Sequence, residues 1–376
     1  MPDPAGLRRL DFPGPLGYRS GAMPPFPAFV YDALPGRVVF GVGSVEHLGE
    51  EVDRLGAGRV LAIAGKRAIE GLAERLGGRW AASFTDVQQH VPVEAAARAV
   101  AAASEAGADC LVAMGGGSAT GMAKAVALER QVPIVAVPTT YAGSEVTPIY
   151  GLTGPEGKRT GRDPRVLPRT VVYDPALTTG LPAQVTGPSG MNALAHCVEA
   201  LYAPGANPVT ALLAEEGARA LHRGLPGAVA DPGDLAARSD ALLGAWLAGT
   251  ALAAAGIGIH HQLCHLLGGA YRLPHAELHA VVLPHAVHFV APAARPQLAR
   301  LAGSLGVDDV AGGIWDLGRR LGTPASLAEL GLAEAELDRA AEQAVARVVQ
   351  TPRRAGVSEL RALLQAAWQG GRPPPA

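Results

Sequence analysis

A chain of 376 residues, 48% hydrophobic and 18% charged, is long enough for two domains and too apolar to stay disordered. A formal net charge of −2 with no clustered Lys/Arg run excludes the footprint of a nucleic-acid binder. No apolar segment approaches the ~20 residues of a membrane span, and Cys110, Cys197 and Cys264 lack CxxC spacing, which reads as buried thiols in a reducing cytoplasm.

Residues 1–25 are rich in Pro and Gly without the apolar core of a signal peptide, so a disordered tail is expected, with Met23 an alternative start. Two β-prone runs follow, 29–31 and 37–40, around the turn Leu34-Pro35-Gly36. Gly41 to Ser44 then opens a helix, with Ser44 as its N-cap. A buried strand over 59–64, a helix ending near Gly77-Gly78 and a strand over 82–85 come next. Pro92 suits the first turn of an Ala-rich helix reaching about Ala106.

The sharpest unit in this half is a strand over 110–114, then Gly115-Gly116-Gly117-Ser118, a helix over 120–128 and a strand over 133–137. That succession describes a right-handed βαβ crossover in a parallel sheet. The glycines would let backbone N–H groups approach a phosphate at the positive end of a helix, or simply form a tight βα turn. Gly116, Gly117 and Ser118 are the candidate cradle. Thr139, Thr140 and Tyr141 follow the next strand at its carboxyl end, where open α/β sheets bind ligands. The polar segment with Lys158 and Arg162 forms a hairpin or loop, and the last strand covers 171–175. From about Leu181 strand signals vanish and helical periodicity runs to about Trp368, which puts a domain boundary near Thr186.

Nine of the eleven histidines fall between residues 187 and 288. His196 follows Asn192 by four residues, and His265 follows His261 by four, so each pair projects from one helix face. His275 comes after a Gly268-Gly269 break and directly after Pro274. Two helices and a turn could thus bring Asn192, His196, His261, His265 and His275 to one point. A single such pair is often a hydrogen-bonded core feature; the whole set in small apolar surroundings reads as a site.

The combination of GGGS at 115–118, TTYAGSE at 139–145, Lys158, YDP at 173–175, SGMNALAH at 189–196 and HHQLCHLLGGAYRLPH at 260–275 resembles the iron-containing alcohol dehydrogenase superfamily. The resemblance covers nearly everything from Phe29. It implies an α/β N-terminal Rossmann-like domain (26–185) plus an all-α C-terminal domain (186–370), with NADH or NADPH and substrate between them. It also implies a homodimer. By the same resemblance Gly116, Gly117, Ser118, Thr139 and Thr140 hold the cofactor, and Lys158 contacts the nicotinamide ribose.

Two departures are informative. Metal-dependent members carry Asp where this chain has Asn192, alongside histidines matching His196, His261 and His275; an amide oxygen is neutral and a poorer ligand. Gly121 replaces a second family Asp. The change at Gly121, with TTYAGSE, the block TGRDPRVLPRTVVYDP, HHQLCH at 260–265 and LPHAE at 273–277, resembles the maleylacetate reductase subgroup. That implies reduction of the conjugated C=C of maleylacetate to 3-oxoadipate in aromatic-compound degradation, without a required metal. His261 is then the expected proton donor or enolate stabiliser, with His265 and His275 next. The substrate is a small dicarboxylate, for which Tyr141, Arg162 and His260 are candidate contacts. A metal-dependent alcohol or polyol dehydrogenase and a nucleotide-binding protein without turnover are the competing readings. Gly65, where NAD-specific relatives carry Asp, precedes Lys66 and Arg67, so NADPH is expected to be accepted.

Overall fold

The computed structural model describes residues 29, 31, 33–34, 36–347 and 351–375, and of these all from Tyr31 onward fall in one compact unit. Its first part interleaves strands and helices: β1 (Arg37–Phe40), α1 (Leu48–Arg54), β2 (Val60–Ala64), α2 (Lys66–Leu76), β3 (Trp80–Phe84) and α3 (Val93–Glu105). Then come β4 (Cys110–Gly115), α4 (Gly117–Arg130), β5 (Ile134–Pro138), β6 (Ile149–Gly154), β7 (Gly157–Arg162) and β8 (Thr170–Tyr173). Six strands make one parallel sheet in the order β1-β8-β5-β4-β2-β3, while β6 and β7 pair as an antiparallel hairpin.

The central strands are fully buried along their length, which is why they read as unbroken apolar runs such as VLAIA and IVAVP rather than alternating patterns. The chain leaves β2 for β3 on one side and returns to β4 on the other. The reversal lies between β2 and β4, the place where such sheets open a crevice at their carboxyl ends.

The remainder is helical: α5 (Ala183–Ala200), α6 (Pro208–Ala230), α7 (Leu235–Ala255), α8 (Ile259–Tyr271), α9 (His275–Val290), α10 (Arg295–Leu305), α11 (Val310–Arg320), α12 (Leu337–Arg347) and α13 (Val357–Gln369). Glycines let α6 and α7 approach closely: a Cβ at Gly224 would meet the Ala237 carbonyl at 2.6 Å, and one at Gly244 the Gly217 carbonyl at 2.8 Å. Helix α5 runs through the centre, buried from Thr186 to Ala200. Among the described residues no single helix is long and apolar enough to cross a membrane.

Several local expectations shift. Phe29 and Tyr31 are not in a strand, and Val30 and the tail before Phe29 lie outside the described residues. Ser44 is not an N-cap: its hydroxyl donates to the Tyr173 carbonyl, and Gly43 precedes the helical turn. The Asp174 carboxylate instead accepts the N–H of Gly43 and of Val45, from 131 and 129 residues further on. Helix α4 starts at Gly117, three residues earlier than expected, and α8 continues through Gly268-Gly269 to end at Arg272, whose φ is +55°.

Candidate active site

The first half of the site is the turn between β4 and α4. Gly115 has φ +149°, a conformation open essentially to glycine alone. A Cβ on Gly116 would sit 3.0 Å from Thr140, so its absence keeps a backbone-lined hollow between the turn and the loop after β5. No side chain caps the N-terminus of α4. A 14-residue helix thus presents its positive end and free N–H groups beside Ser118, Thr139 and Thr140, all partly exposed. This hollow fits a pyrophosphate.

The loop after β5 carries this half toward the other. Lys124 of α4 is wholly buried and its Nζ donates to the carbonyls of Ser144 (2.7 Å), Thr147 (2.8 Å) and Ile149 (2.7 Å). Three carbonyls match the three N–H bonds of an ammonium group; burial pushes its pKa down to about 7, with Glu145 opposing. Tyr141 is also buried, its N–H on Ser189 Oγ and its hydroxyl accepting from the buried Arg238. Gly143, at φ +74°, brings the loop onto His196: a Cβ there would lie 3.3 Å from His196 Nδ1 and 3.2 Å from Gly249 Cα. Gly143→Ala is therefore expected to cost about 1–2 kcal/mol in urea unfolding and to lower kcat/KM roughly tenfold by displacing His196. An unchanged midpoint and unchanged kinetics would contradict this.

The second half is a stack of imidazoles from α5, α8 and α9. His196 and His261 lie ring on ring with centroids 4.8 Å apart. His279 sits 4.7 Å from His261 and 4.5 Å from His275, and His265 stands 6.2 Å from both His261 and His275. His265 and His275 are exposed, whereas His196, His260, His261 and His279 are buried, so the cluster runs from surface to core. At its deep end His260 Nε2 is 2.8 Å from His279 Nδ1. Asn192 Oδ1, His196 Nδ1, His261 Nε2 and His279 Nε2 are buried without a protein partner. The Glu199 carboxylate lies 2.6 Å from His261 Nδ1.

Burial, reinforced by neighbouring rings, pushes His196, His260 and His279 well below the usual histidine range, so these rings are neutral near pH 7. The unfolded chain takes up protons at about pH 6.5 that the folded cluster refuses. Their contribution to stability is thus complete above about 6.5 and is lost as pH falls toward the folded values. Urea unfolding free energy is expected to fall by about 1.4 kcal/mol per pH unit for each such ring below 6.5. A midpoint unchanged between pH 7.5 and 5.5 would contradict neutral burial. Cys197 and Cys264 are buried thiols pushed above their ordinary range, which keeps them protonated.

The structure brings His196, His261, His265 and His275 to one cluster, with the buried Asn192 one turn before His196 on α5, and Gly116, Gly117, Ser118, Thr139 and Thr140 to one hollow. His260 is wholly buried on His279, and Arg162 of β7 donates to the Ala253 carbonyl at 2.7 Å. Lys158 lies on β7 with its side chain outside the described residues. Two members carry signals that the reading by pairs passed over. His279 is four residues after His275, and Glu199 is a lone acid in an apolar helix three residues after His196.

His260, His261 and His279 offer ring nitrogens within 4.8 Å of one another, close enough to gather round an ion. His260 Nε2 and His279 Nδ1 are joined by the 2.8 Å hydrogen bond, while His261 Nε2 and His279 Nε2 have no protein partner.

Family models match both parts of the chain: iron-containing alcohol dehydrogenase over residues 35–175, and the C-terminal part of the Fe-containing alcohol dehydrogenase family over 186–368. A maleylacetate reductase of Burkholderia cepacia is 50% identical over 92% of this chain and 99% of its own length. The crystal structure of maleylacetate reductase from Agrobacterium tumefaciens superposes with a TM-score of 0.90 at 47% identity, covering 92% of this chain and 100% of the other. That of a Rhizobium species gives 0.89 at 49% identity, over 92% and 99%.

Proposed function

Because the chain belongs to the iron-containing alcohol dehydrogenase family, in the branch of the maleylacetate reductases, we propose that it reduces maleylacetate to 3-oxoadipate with NADH or NADPH. The observation that carries this reading is a buried histidine cluster with Asn192 where the family's metal carboxylate would stand. The groups facing the cluster are an amide oxygen and imidazole nitrogens, and Glu199 is turned onto His261 and the start of α8. That set lacks the anionic oxygen an iron(II) site of this kind calls for, so it does not fit the ion.

The hollow at Gly115–Gly117 and the N-terminus of α4 would hold the cofactor's pyrophosphate, with Thr139 and Thr140 beside it; by the family resemblance Lys158 would serve the nicotinamide ribose. The nicotinamide supplies a hydride when bound. The substrate's double bond is conjugated to a ketone, so its reduction passes through an enolate, far less basic than an alkoxide. Hydrogen-bond donors can stabilise such an anion, a task otherwise suited to a Lewis acid. His261 Nε2, buried and without a protein partner, then delivers a proton to carbon. His196 and Asn192 orient the reacting atoms, and the exposed rings of His265 and His275 face the entrance, where the substrate's carboxylates arrive. The exposed Lys66 and Arg67 open α2, whose first turn holds no acid, so a 2′-phosphate is not repelled. We place the domain boundary near residue 186, and the working form as a cytoplasmic homodimer.

The test is NADH oxidation with maleylacetate, with and without prior chelation. Rapid chelator-insensitive turnover is expected, with kcat/KM for NADPH within a hundredfold of that for NADH. Activity confined to aldehydes or alcohols and restored by Fe²⁺ or Zn²⁺ would replace this reading with a metal-dependent dehydrogenase.

A further inference from the structure

Glu199 takes no part in the steps above, yet it is wholly buried against the residue that carries the proton. It lies on α5 three residues after His196 and seven after Asn192, on the same face of the helix. Its carboxylate accepts the backbone N–H of Gly258 (2.9 Å) and His260 (2.6 Å), with that of His261 at 3.4 Å. These are groups that the start of α8 leaves without intrahelical partners, and they hold the buried anion in place. So far this is a helix cap supplied from another helix. The remaining contact, 2.6 Å to His261 Nδ1, goes further. An ionised carboxylate only accepts, so Nδ1 must carry a hydrogen. Nε2, which has no protein partner, is left as the position where a proton comes and goes.

We propose that Glu199 is the positioning residue of the reaction: it fixes the tautomer and angle of the His261 ring so that Nε2 faces the substrate carbon. The inference rests on the reductase reading. In the step it serves, a C–H bond forms at the enolate carbon as the Nε2–H bond of the imidazolium breaks. The N–H electron pair stays on Nε2, the enolate's pair forms the new bond, and the neutral ring keeps Nδ1–H on Glu199. Solvent restores the proton. The same carboxylate therefore sets both the start of α8 and the orientation of the ring that α8 carries.

Glu199→Gln reverses the contact to His261 while keeping part of the cap, and the His261→Ala background tells the two roles apart. The amide matches the carboxylate in size, and its oxygen can still accept the His260 N–H, but the oxygen that meets His261 Nδ1 also accepts the Gly258 N–H, so that one capping bond is lost with it. Its NH₂ then faces Nδ1 and drives the ring to the opposite tautomer. We expect kcat to fall on the order of 10²-fold with KM changed less than about threefold. In the His261→Ala background the same substitution should change kcat less than about twofold, because the group it acts through is gone. Equal fold losses in both backgrounds would reduce Glu199 to a structural cap and overturn the proposal. A variant that fails to fold does not end the test. Imidazole ¹⁵N shifts of the wild-type protein, assigned through His261→Ala, should show His261 protonated at Nδ1, and a neutral ring protonated at Nε2 alone overturns it. Lack of turnover by the wild type would sink the reductase reading, while the ring measurement would still decide the tautomer.

Discussion

His261→Ala is expected to lower kcat/KM by about 10²–10⁴, the range that a positioned general acid supplies. The ring is central to the cluster: His196 stacks on it, and His260, His279 and His265 surround it within 6.2 Å. It is 3% exposed, and its Nε2 is unpartnered while Nδ1 is held by Glu199. A buried nitrogen left without a partner costs roughly 1–3 kcal/mol. Such a cost is tolerable where a substrate atom completes the bond. The rate loss should therefore appear in kcat, with NADH affinity unchanged by fluorescence titration. A loss below about tenfold would move the proton-donor role to His265 or His275, both at the exposed end of the cluster.

What could be read from the chain beforehand follows how local each signal is. The β4–glycine–α4 unit declares itself within thirty residues, because an apolar strand, a turn needing φ +149° and a helix are each encoded where they occur. The helix faces bearing Asn192 and His196, or His261 and His265, follow from spacing alone. Capping is where local reading fails. Ser44 looks like a cap, but the carboxylate that serves this turn is Asp174, brought up by the pairing of β1 with β8. Glu199 caps α8 across separations of 59 and 61 residues in the same way. No pattern in either segment announces its partner. The buried cations Lys124 and Arg238 are similar: each satisfies its donors on carbonyls and hydroxyls that only the folded chain assembles. Their sequence surroundings are ordinary helix.

Asn192→Asp should turn the cluster toward a metal centre. Residue 192 stands one turn before His196 on α5, is 8% exposed, and points an oxygen without a protein partner into the site. An aspartate places an anionic oxygen in nearly the same position. Without an ion, that charge is buried beside neutral imidazoles, and desolvation should destabilise the variant by a few kcal/mol. With Zn²⁺ or Fe²⁺ present the same carboxylate becomes a ligand, and affinity should rise on the order of a hundredfold over the wild type. Stability then recovers by linkage, about 2.7 kcal/mol when free metal exceeds its Kd a hundredfold. Thermal unfolding with metal and with EDTA reads both effects: the variant's midpoint should rise with metal and fall with chelator, while the wild type's should hardly move. Chelator-sensitive melting of the wild type, or an indifferent variant, would mean that the neutral oxygen at 192 is not what separates this site from a metal centre.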